Sequence, residues 1–344
     1  MKGVSEAIPR DNWTEFPERR PECCEPFASG VTPAVSGRDN RPDVPCNPRK
    51  GQIPFMATIS LRDGRRLDVR VSGPEDGVPL VFHHGTPSAV PPVRAIERAA
   101  HAQGLRHVSF SRAGYGGSTR LPGRDVAAVA ADVADLLDHL GARRCLVAGW
   151  SGGGPHALAT AALLPDRVAG VLSIAGFAPY DAPGFDYTEG MGEANVEGFA
   201  VVLQGEGPLR EHLEKKALGR QDADAEALRA ALGTLLSPVD QESLTDEFAE
   251  DVSAGFAEGL RNGVDGWADD DLAFVRPWGF SLDDITVPAF VWHGSEDLMV
   301  PFSHGRFLAK HIPGAAAHLE EGEGHLTITV GAAGRMLEEL AGVL

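Results

Sequence analysis

Residues 79–174 alternate short apolar runs with longer segments of helical periodicity, and this alternation constrains the fold more than any other feature of the chain. The runs "PLVFHHG", "LRHVSFS", "RCLVAGW" and "VAGVLSIAG" predict strands, and helical patterns such as "DVAAVAADVADLLDHLG" separate them. Strands that alternate with helices form a mostly parallel sheet, because each helix crosses over the sheet before the next strand begins. The sequence therefore predicts an α/β fold with a mostly parallel central sheet and helices on both faces.

Residues 178–285 interrupt this alternation with helix candidates and no convincing strand. The pattern is carried by "EANVEGFAVVLQG", "LREHLEKKALG", "AEALRAALGTLL" and "VSAGFAEGLRNG". The run "VPAFVWHG" then resumes the sheet, and a helix, a strand and one closing helix, "HLTITVGAAGRMLEELAGVL", complete it. We therefore predict a core of residues 56–177 and 286–344 with a helical cap or lid inserted at 178–285.

The first 55 residues differ from the rest of the chain. They are rich in proline and charge, as in "FPERRPECCEP", and show neither helical nor strand periodicity. Such a segment buries too little apolar surface to offset its ordering entropy, so we expect it to be disordered. Two interpretations remain open: an ordinary disordered tail, or an upstream extension ahead of a true start at Met56. From Met56, "MATISLRDGRRLDVRVSG" predicts two strands around an Asp-Gly turn.

Composition restricts the partners of the protein. The 344 residues carry a formal net charge of -18, which disfavours both nucleic acid and anionic membranes. Neither an apolar run of about 18 residues nor a secretory apolar segment is present, so we expect a cytoplasmic protein. The four cysteines lack a C-x-x-C spacing, and we find no metal-binding or phosphate-loop motif. We expect a small-molecule substrate and neither a metal nor another cofactor; the oligomeric state stays open.

The stretch "VAGWSGGGPHA" places Ser151 in a G-x-S-x-G motif between a predicted strand and a predicted helix. In such an elbow the serine occupies a strained turn that lifts its hydroxyl into a cleft. Gly149 and Gly153 leave room for the turn, and the following helix directs its positive N-terminal end at the site. We predict Ser151 as a nucleophile and the backbone N–H of Gly152 as an oxyanion donor.

A serine hydroxyl needs a base, and "EEGEGHLTI" supplies His325 between a late strand and the last helix. A carboxylate must in turn orient the histidine, and "VWHGSEDLMVP" supplies Asp297 after the strand that resumes the sheet. The adjacent Glu296 could serve instead of Asp297. The chain order serine, aspartate, histidine is the order expected for this type of sheet.

The stretch "FHHGTPS" ends a strand at the same edge of the predicted sheet. We predict that the backbone N–H of Thr86 is the second oxyanion donor. His83 and His84 lack the further ligands of a metal site, so we interpret His84 as a residue that orders the loop.

Together the stretches "HHGTPS", "SRAGYGGST", "GWSGGG", "GSEDLMVP" and "EGEGHL" make the chain, from about residue 58 to its end, resemble the α/β-hydrolase fold family with a helical cap. The resemblance implies Ser151 as nucleophile, Asp297 as acid, His325 as base, and Thr86 with Gly152 as the oxyanion hole. Ser111 departs from the family pattern, in which many members carry Asp. A serine nucleophile also separates the chain from epoxide hydrolases and haloalkane dehalogenases of this fold, which carry Asp there. Proline iminopeptidase relatives have Trp after the serine, whereas Trp150 precedes it here.

These features predict a serine hydrolase that cleaves a small ester, lactone or amide through an acyl-enzyme, and we favour a carboxylic ester. The alternatives are a non-catalytic small-molecule receptor on the same fold and an acyltransferase that uses an acceptor other than water. We predict that Trp150 contacts the substrate. Four aromatic residues of the predicted cap could be pocket wall or core: Trp267, Phe274, Trp278 and Phe280.

Overall fold

A computed structural model of the protein describes residues 14–15, 55–218, 220 and 225–344. Within these residues, nine strands form one sheet. From edge to edge they are β1 (Thr14–Glu15), β2 (Phe55–Ser60), β3 (Arg66–Ser72), β5 (Arg106–Phe110), β4 (Pro79–His83), β6 (Cys145–Trp150), β7 (Val168–Ile174), β8 (Ala289–Gly294) and β9 (Ala316–Glu320). Each pair of neighbours from β1 through β2 and β3 to β5 is antiparallel. The remaining neighbours, from β5 through β4, β6, β7 and β8 to β9, are parallel. The predicted fold class is confirmed.

Helices cover both faces of the sheet. Those outside residues 178–285 are α1 (Arg94–Ala102), α2 (Val129–His139), α3 (Gly153–Leu163), α10 (Phe302–His311), α11 (His325–Gly331) and α12 (Ala333–Ala341). Helix α1 packs against α12, and α2 packs against α3. The crossover β4–α1–β5 runs in the opposite direction along the sheet from β5–α2–β6 and β6–α3–β7, and right-handed crossovers in opposite directions place their helices on opposite faces.

Between β7 and β8 lies a segment of helices, which we call the helical insertion (residues 178–285). Its helices are α4 (Glu193–Val202), α5 (Glu206–Ala217), α6 (Ala225–Leu232), α7 (Pro238–Ser243), α8 (Asp246–Gly259) and α9 (Asp265–Phe274). Helices α4, α5, α6 and α8 match the four segments predicted from sequence, whereas α7 and α9 were not predicted. The described part of the insertion contains no strand, and its role as a cap remains a prediction.

The C-terminal segment differs from the single closing helix that its sequence predicts. The structure has two helices, α11 and α12, which meet at Ala332 with φ −99° and ψ −1°. Gly331 and Gly334 flank the break, and glycine is a poor helix former because of its backbone entropy.

The N-terminal hairpin has the predicted form. Strands β2 and β3 pair antiparallel around Asp63 and Gly64, and Gly64 adopts φ +85° in the turn. Of residues 1–54, the structure describes only Thr14 and Glu15, which pair with β2. Apart from these two residues and Phe55, which begins β2, the predicted disordered segment 1–55 lies outside the described residues. Cys23, Cys24 and Cys46 belong to this undescribed part. Cys145 is buried in β6.

The order of the central strands brings two loops together at one edge of the sheet. Strand β4 lies between β5 and β6, and His83 at its carboxyl end pairs with Gly149 of β6. The chain leaves β4 towards one side and β6 towards the other, which opens a crevice above their carboxyl ends. The loop with Thr86 and the turn with Ser151 both border this crevice. Among the described helices, none has the length and apolarity needed to cross a bilayer.

Candidate active site

Ser151 occupies a strained turn directly between β6 and α3. Its φ is +56°, a left-handed conformation that a residue with a side chain seldom adopts. The backbone is too close for larger neighbours, since a Cβ on Gly149 would lie 2.2 Å from the Gly153 carbonyl oxygen. A Cβ on Gly153 would lie 2.1 Å from the carbonyl oxygen of His83. The glycines of the motif therefore allow the turn that exposes the serine at the crevice.

His325 begins α11 and forms a hydrogen-bonded pair with Asp297. Its Nδ1 lies 2.7 Å from Oδ2 of Asp297, and both side chains are almost fully buried. The other carboxylate oxygen accepts the backbone N–H groups of Met299 and Val300, each at 2.8 Å. These local bonds fix the carboxylate, as an Asp commonly does in the loop that it begins. The adjacent Glu296 is exposed and points to Ser295, so the structure places Asp297 rather than Glu296 at the histidine.

The electrostatic surroundings favour a protonated His325. Burial lowers its pKa, but the charge and the hydrogen bond of Asp297, with the charge of Asp240, raise it above its ordinary value of 6.5. An ionised Asp297 also fixes the tautomer, because Nδ1 must donate its proton to the carboxylate. The Nε2 atom of the neutral ring is then the nitrogen that can accept a proton.

Asp240 of α7 holds the N-terminus of the helix that carries His325. Its carboxylate accepts the backbone N–H groups of His325, Leu326 and Thr327 at 3.0, 2.7 and 3.1 Å. A carboxylate at this end of a helix satisfies unpaired N–H groups and interacts favourably with the helix dipole. The carboxylate approaches so closely that a Cβ on Gly324 would lie 2.4 Å from it. A residue of the helical insertion thereby positions the histidine.

Thr86 and Gly152 lie side by side at the crevice. A Cβ on Gly152 would lie only 2.3 Å from Oγ1 of Thr86. Neither backbone N–H donates to a backbone carbonyl among the described residues. The Thr86 hydroxyl donates to Asp270 of α9 at 2.7 Å, which holds this loop in place. The structure thus brings together the two predicted oxyanion donors beside Ser151.

Asp270 is the centre of a fully buried polar cluster. It accepts bonds from Arg112 and Arg124, each at 2.6 Å, and from the hydroxyl of Tyr115 at 2.8 Å. His156 lies 3.2 Å from the same carboxylate. Burial by itself raises the pKa of Asp270, but the two guanidinium groups hold it well below its ordinary value. The carboxylate therefore stays ionised and links α9 to the loop after β4.

His84 orders the loop after β4, in the way its sequence position predicts. Its Nε2 accepts the backbone N–H of Arg112 at 3.2 Å, so Nδ1 carries the proton and donates to the Gly85 carbonyl at 2.7 Å. Burial, with Arg112 next to it, lowers the pKa of His84 well below its ordinary value, and the ring is neutral. Among the described residues, no group of three His, Cys, Asp or Glu side chains is arranged to hold a metal ion.

A single cavity joins these elements. Ser151, His325, Thr86 and Trp150 line it from the sheet side, and residues of the helical insertion line the other side. The Trp150 ring lies 5.6 Å from the His325 ring and 6.0 Å from that of Phe248, measured between centroids. The insertion contributes apolar side chains to the cavity wall, among them Phe199, Leu213, Phe256, Trp267 and Phe274.

The four aromatic residues left open by sequence fall into two groups. Trp267 and Phe274 line the cavity, although both are nearly inaccessible to bulk solvent. Trp278 is buried and stacks on Phe280 at 5.8 Å, and neither of these residues lines the cavity. Two of the four are therefore wall residues.

Sequence reasoning missed Asp240 and Asp270, the two carboxylates of the insertion that support the site. One signal for Asp240 was available: Ser237 and Pro238 precede it in the pattern of a helix start, and Ser237 does cap α7. For Asp270 no local signal exists, because "ADDD" is equally typical of an exposed acidic turn. Its arginine partners are distant in sequence.

Comparisons with known proteins agree with this architecture. A sequence model of the family described as "alpha/beta hydrolase fold" matches residues 78–332. A non-heme chloroperoxidase from Streptomyces lividans is 34% identical over 126 residues, which are 36% of this chain and only 46% of that enzyme. A bifunctional esterase/perhydrolase from Acinetobacter calcoaceticus is 32% identical over 254 residues, 72% of this chain and 84% of that protein. Among solved structures, an alpha/beta hydrolase fold protein from Nakamurella multipartita aligns with a TM-score of 0.56 at 26% identity, over 84% of this chain and 98% of that one.

Proposed function

The chain belongs to the alpha/beta hydrolase fold family, and on this premise we propose that it is a serine hydrolase of small carboxylic esters, with lactones and amides as related substrates. The observation that carries the proposal is the 2.7 Å pair of His325 and Asp297, which shares one cavity with Ser151 at its strained turn. Nucleophile, base and orienting acid thus come from three different loops at one edge of the sheet.

In the proposed acylation, Oγ of Ser151 attacks the carbonyl carbon of the substrate. Nε2 of His325 takes the hydroxyl proton as the Oγ–C bond forms, and Asp297 stabilises the resulting imidazolium. The backbone N–H groups of Thr86 and Gly152 receive the negative charge that develops on the carbonyl oxygen. The imidazolium then donates its proton to the leaving alcohol oxygen as the C–O bond breaks, and an acyl-enzyme remains.

In the proposed deacylation, a water molecule replaces the alcohol. The water oxygen attacks the acyl carbon while His325 takes one proton from the water. His325 then donates this proton to Oγ of Ser151 as the carboxylic acid leaves. The products are one alcohol and one carboxylic acid, and the enzyme is restored. The helical insertion acts as a lid that shields the acyl-enzyme from bulk water, and Trp150 forms the wall next to the reacting carbonyl.

Acyl transfer to an acceptor other than water is the second candidate. The acyl-enzyme is common to both reactions, and the relative from Acinetobacter calcoaceticus is described as a bifunctional esterase/perhydrolase. Product ratios with added alcohol or peroxide distinguish the two. A non-catalytic receptor is less consistent with a nucleophile and a paired base at one cavity, with both candidate oxyanion donors next to the nucleophile.

The proposal is tested by the Ser151→Ala variant, assayed with p-nitrophenyl esters of graded chain length. Loss of a serine nucleophile costs about 10⁶ in kcat in a comparable enzyme. An organophosphonate should label the wild-type protein once, at Ser151, and should not label the variant. Ser303→Ala, a serine of α10 outside the cavity, is the matched control and should behave as wild type. Activity of Ser151→Ala within tenfold of wild type contradicts the assignment.

A further inference from the structure

The helical insertion contributes three basic side chains to the cavity wall, and burial lowers the pKa of one of them, His212, below its ordinary value. His212 and Lys216 lie one turn apart on α5, and Arg220 follows at the same spacing just after the helix. His212 and Lys216 therefore project from one side of α5. All three line the cavity that also contains Ser151. This group is unexpected in a protein whose formal net charge is -18.

Arg220 is a buried cation without a carboxylate partner among the described residues. It is 7% exposed, and its only hydrogen bond there is a long one, 3.4 Å, to the carbonyl of Ala231. Its guanidinium lies over the rings of Trp267 and Phe256, at 5.2 and 5.5 Å from their centroids. Burial lowers the pKa of Arg220 to about 10, so it stays charged at neutral pH. Cation–π contacts offset only part of the cost of burying such a charge.

The positive charge of Lys216 is also only partly neutralised by its described neighbours. Its ammonium donates to the carbonyl of Ala194 at 2.9 Å and forms no ion pair with a described carboxylate. Two carboxyl groups are near enough to influence it: Glu197, which is exposed, and Asp271, which lines the cavity. Burial, and after it the charge of Asp270, raise the pKa of Asp271 well above its ordinary value. The raised pKa reduces the negative charge that Asp271 supplies to the group.

We propose that Arg220 and Lys216 bind a carboxylate on the substrate, so that the preferred substrates are esters whose acyl chain ends in a carboxylate. Most of the other residues that line the cavity are apolar, which suits a hydrocarbon spacer between the ester and the carboxylate. The anion supplies the partner that the buried guanidinium lacks among the described residues, and Nζ of Lys216 has two further protons to donate. The proposal rests on the ester hydrolase function proposed above and names its substrate class.

The first test compares matched substrates on the wild-type enzyme. One series consists of p-nitrophenyl monoesters of straight-chain dicarboxylic acids, and the other of the same compounds with the free carboxylate methylated. Hydrogen bonds to a charged group predict a preference in kcat/KM of about tenfold to a hundredfold for the charged series at the best-fitting chain length. Equal rates at every length, or faster neutral esters, overturn the proposal.

The second test uses variants of the cationic group. Arg220→Gln and Lys216→Met should each bring the ratio of charged to neutral kcat/KM towards one. Lys215→Met is the matched control, because it removes the same charge from the exposed neighbour of Lys216, and it should keep the wild-type ratio. Thermal melting of each variant verifies that it is folded. An unchanged ratio in folded Arg220→Gln and Lys216→Met contradicts the assignment.

A third measurement separates failure of the subsite from failure of the proposed reaction. Calorimetry measures binding of the free dicarboxylic acids to Ser151→Ala, with and without Arg220→Gln. Binding that is lost with Arg220→Gln supports the subsite even if neither ester series is hydrolysed, and in that case only the proposed reaction is wrong. Hydrolysis of both series at equal rates, with no binding of the diacids, retains the hydrolase and eliminates the subsite.

Discussion

At the scale of single residues, Asp297 and Glu296 offer a direct test of the orienting acid. Asp297 is buried against His325, whereas Glu296 is exposed and has no contact with the ring. Asp297→Asn should lower kcat by about 10⁴, because an amide cannot hold the productive histidine tautomer. Glu296→Gln removes a charge one position away and should change kcat by less than about threefold. Steady-state kinetics with one ester check both, and the reverse ranking would transfer the role to Glu296.

The raised pKa of His325 predicts the pH dependence of the reaction. Burial lowers that pKa, but Asp297 and Asp240 raise it above 6.5, and only the neutral ring can take the serine proton. With a neutral ester, kcat/KM should therefore be constant at high pH and fall tenfold per pH unit below a midpoint above 6.5.

Two controls accompany the pH profile. In Asp297→Asn the midpoint should shift to lower pH, because the imidazolium loses its counter-charge. A chelator should leave the profile unchanged, whereas a metal-bound hydroxide would lose its activity. A profile that is flat between pH 5 and 8 is incompatible with His325 as the base.

At the scale of elements, Asp270 connects helix α9 to the loop that carries Thr86. Asp270→Asn leaves Arg112 and Arg124 buried without their counter-charge, and breaking such a buried pair costs about 3–5 kcal/mol of unfolding free energy. Denaturant unfolding measures this loss. Asp265→Asn, in the same helix, removes a carboxylate whose side chain is 35% exposed, and it should cost about 0–1 kcal/mol.

The activity of these two variants separates positioning from stability. Asp270 accepts a hydrogen bond from the Thr86 hydroxyl, so its loss should also lower kcat at temperatures where the variant remains folded. Asp265→Asn should retain wild-type kcat. Equal unfolding free energies for the two variants would show that the buried cluster does not anchor α9.

Helix α9, which the sequence did not predict, shows where local sequence patterns are insufficient. Helix α9 has the sequence "DGWADDDLAF", in which acidic residues interrupt the apolar positions. Asp is a poor helix former in the interior, so the pattern indicates an exposed turn. The helix forms because Asp269 and Asp270 pair with arginines from the core, a contact that no local pattern encodes.

At the scale of the whole molecule, the N-terminal segment is expected to be dispensable. Residues 1–54 are rich in proline and charge and lack a periodic apolar face to pack on the sheet. A truncated protein that begins at Phe55 should keep the melting temperature and kcat/KM of the full chain. Calorimetry and the ester assay check this, and a fall of several degrees would show that the segment stabilises the fold, for example through the pairing of Thr14 and Glu15 with β2.

The sequence by itself determined the class of fold and the local geometry of the nucleophile. Apolar periodicity specifies strands and helices over short windows, and the steric demands of Gly149 and Gly153 define the turn at Ser151 without reference to distant residues. It also placed His325 and Asp297 in loops at the same edge of the sheet, because parallel strands all end there.

Only the tertiary structure decided which charges meet. It placed Asp297 rather than Glu296 at the histidine, put Asp240 at the start of α11, and buried Asp270 between two arginines. It also turned Lys216 and Arg220 into the cavity, although their spacing on an acidic protein is equally typical of a solvated helix face. The physical reason is that ion pairing and burial depend on distances between segments far apart in the chain, whereas periodicity and turn sterics act within a few residues.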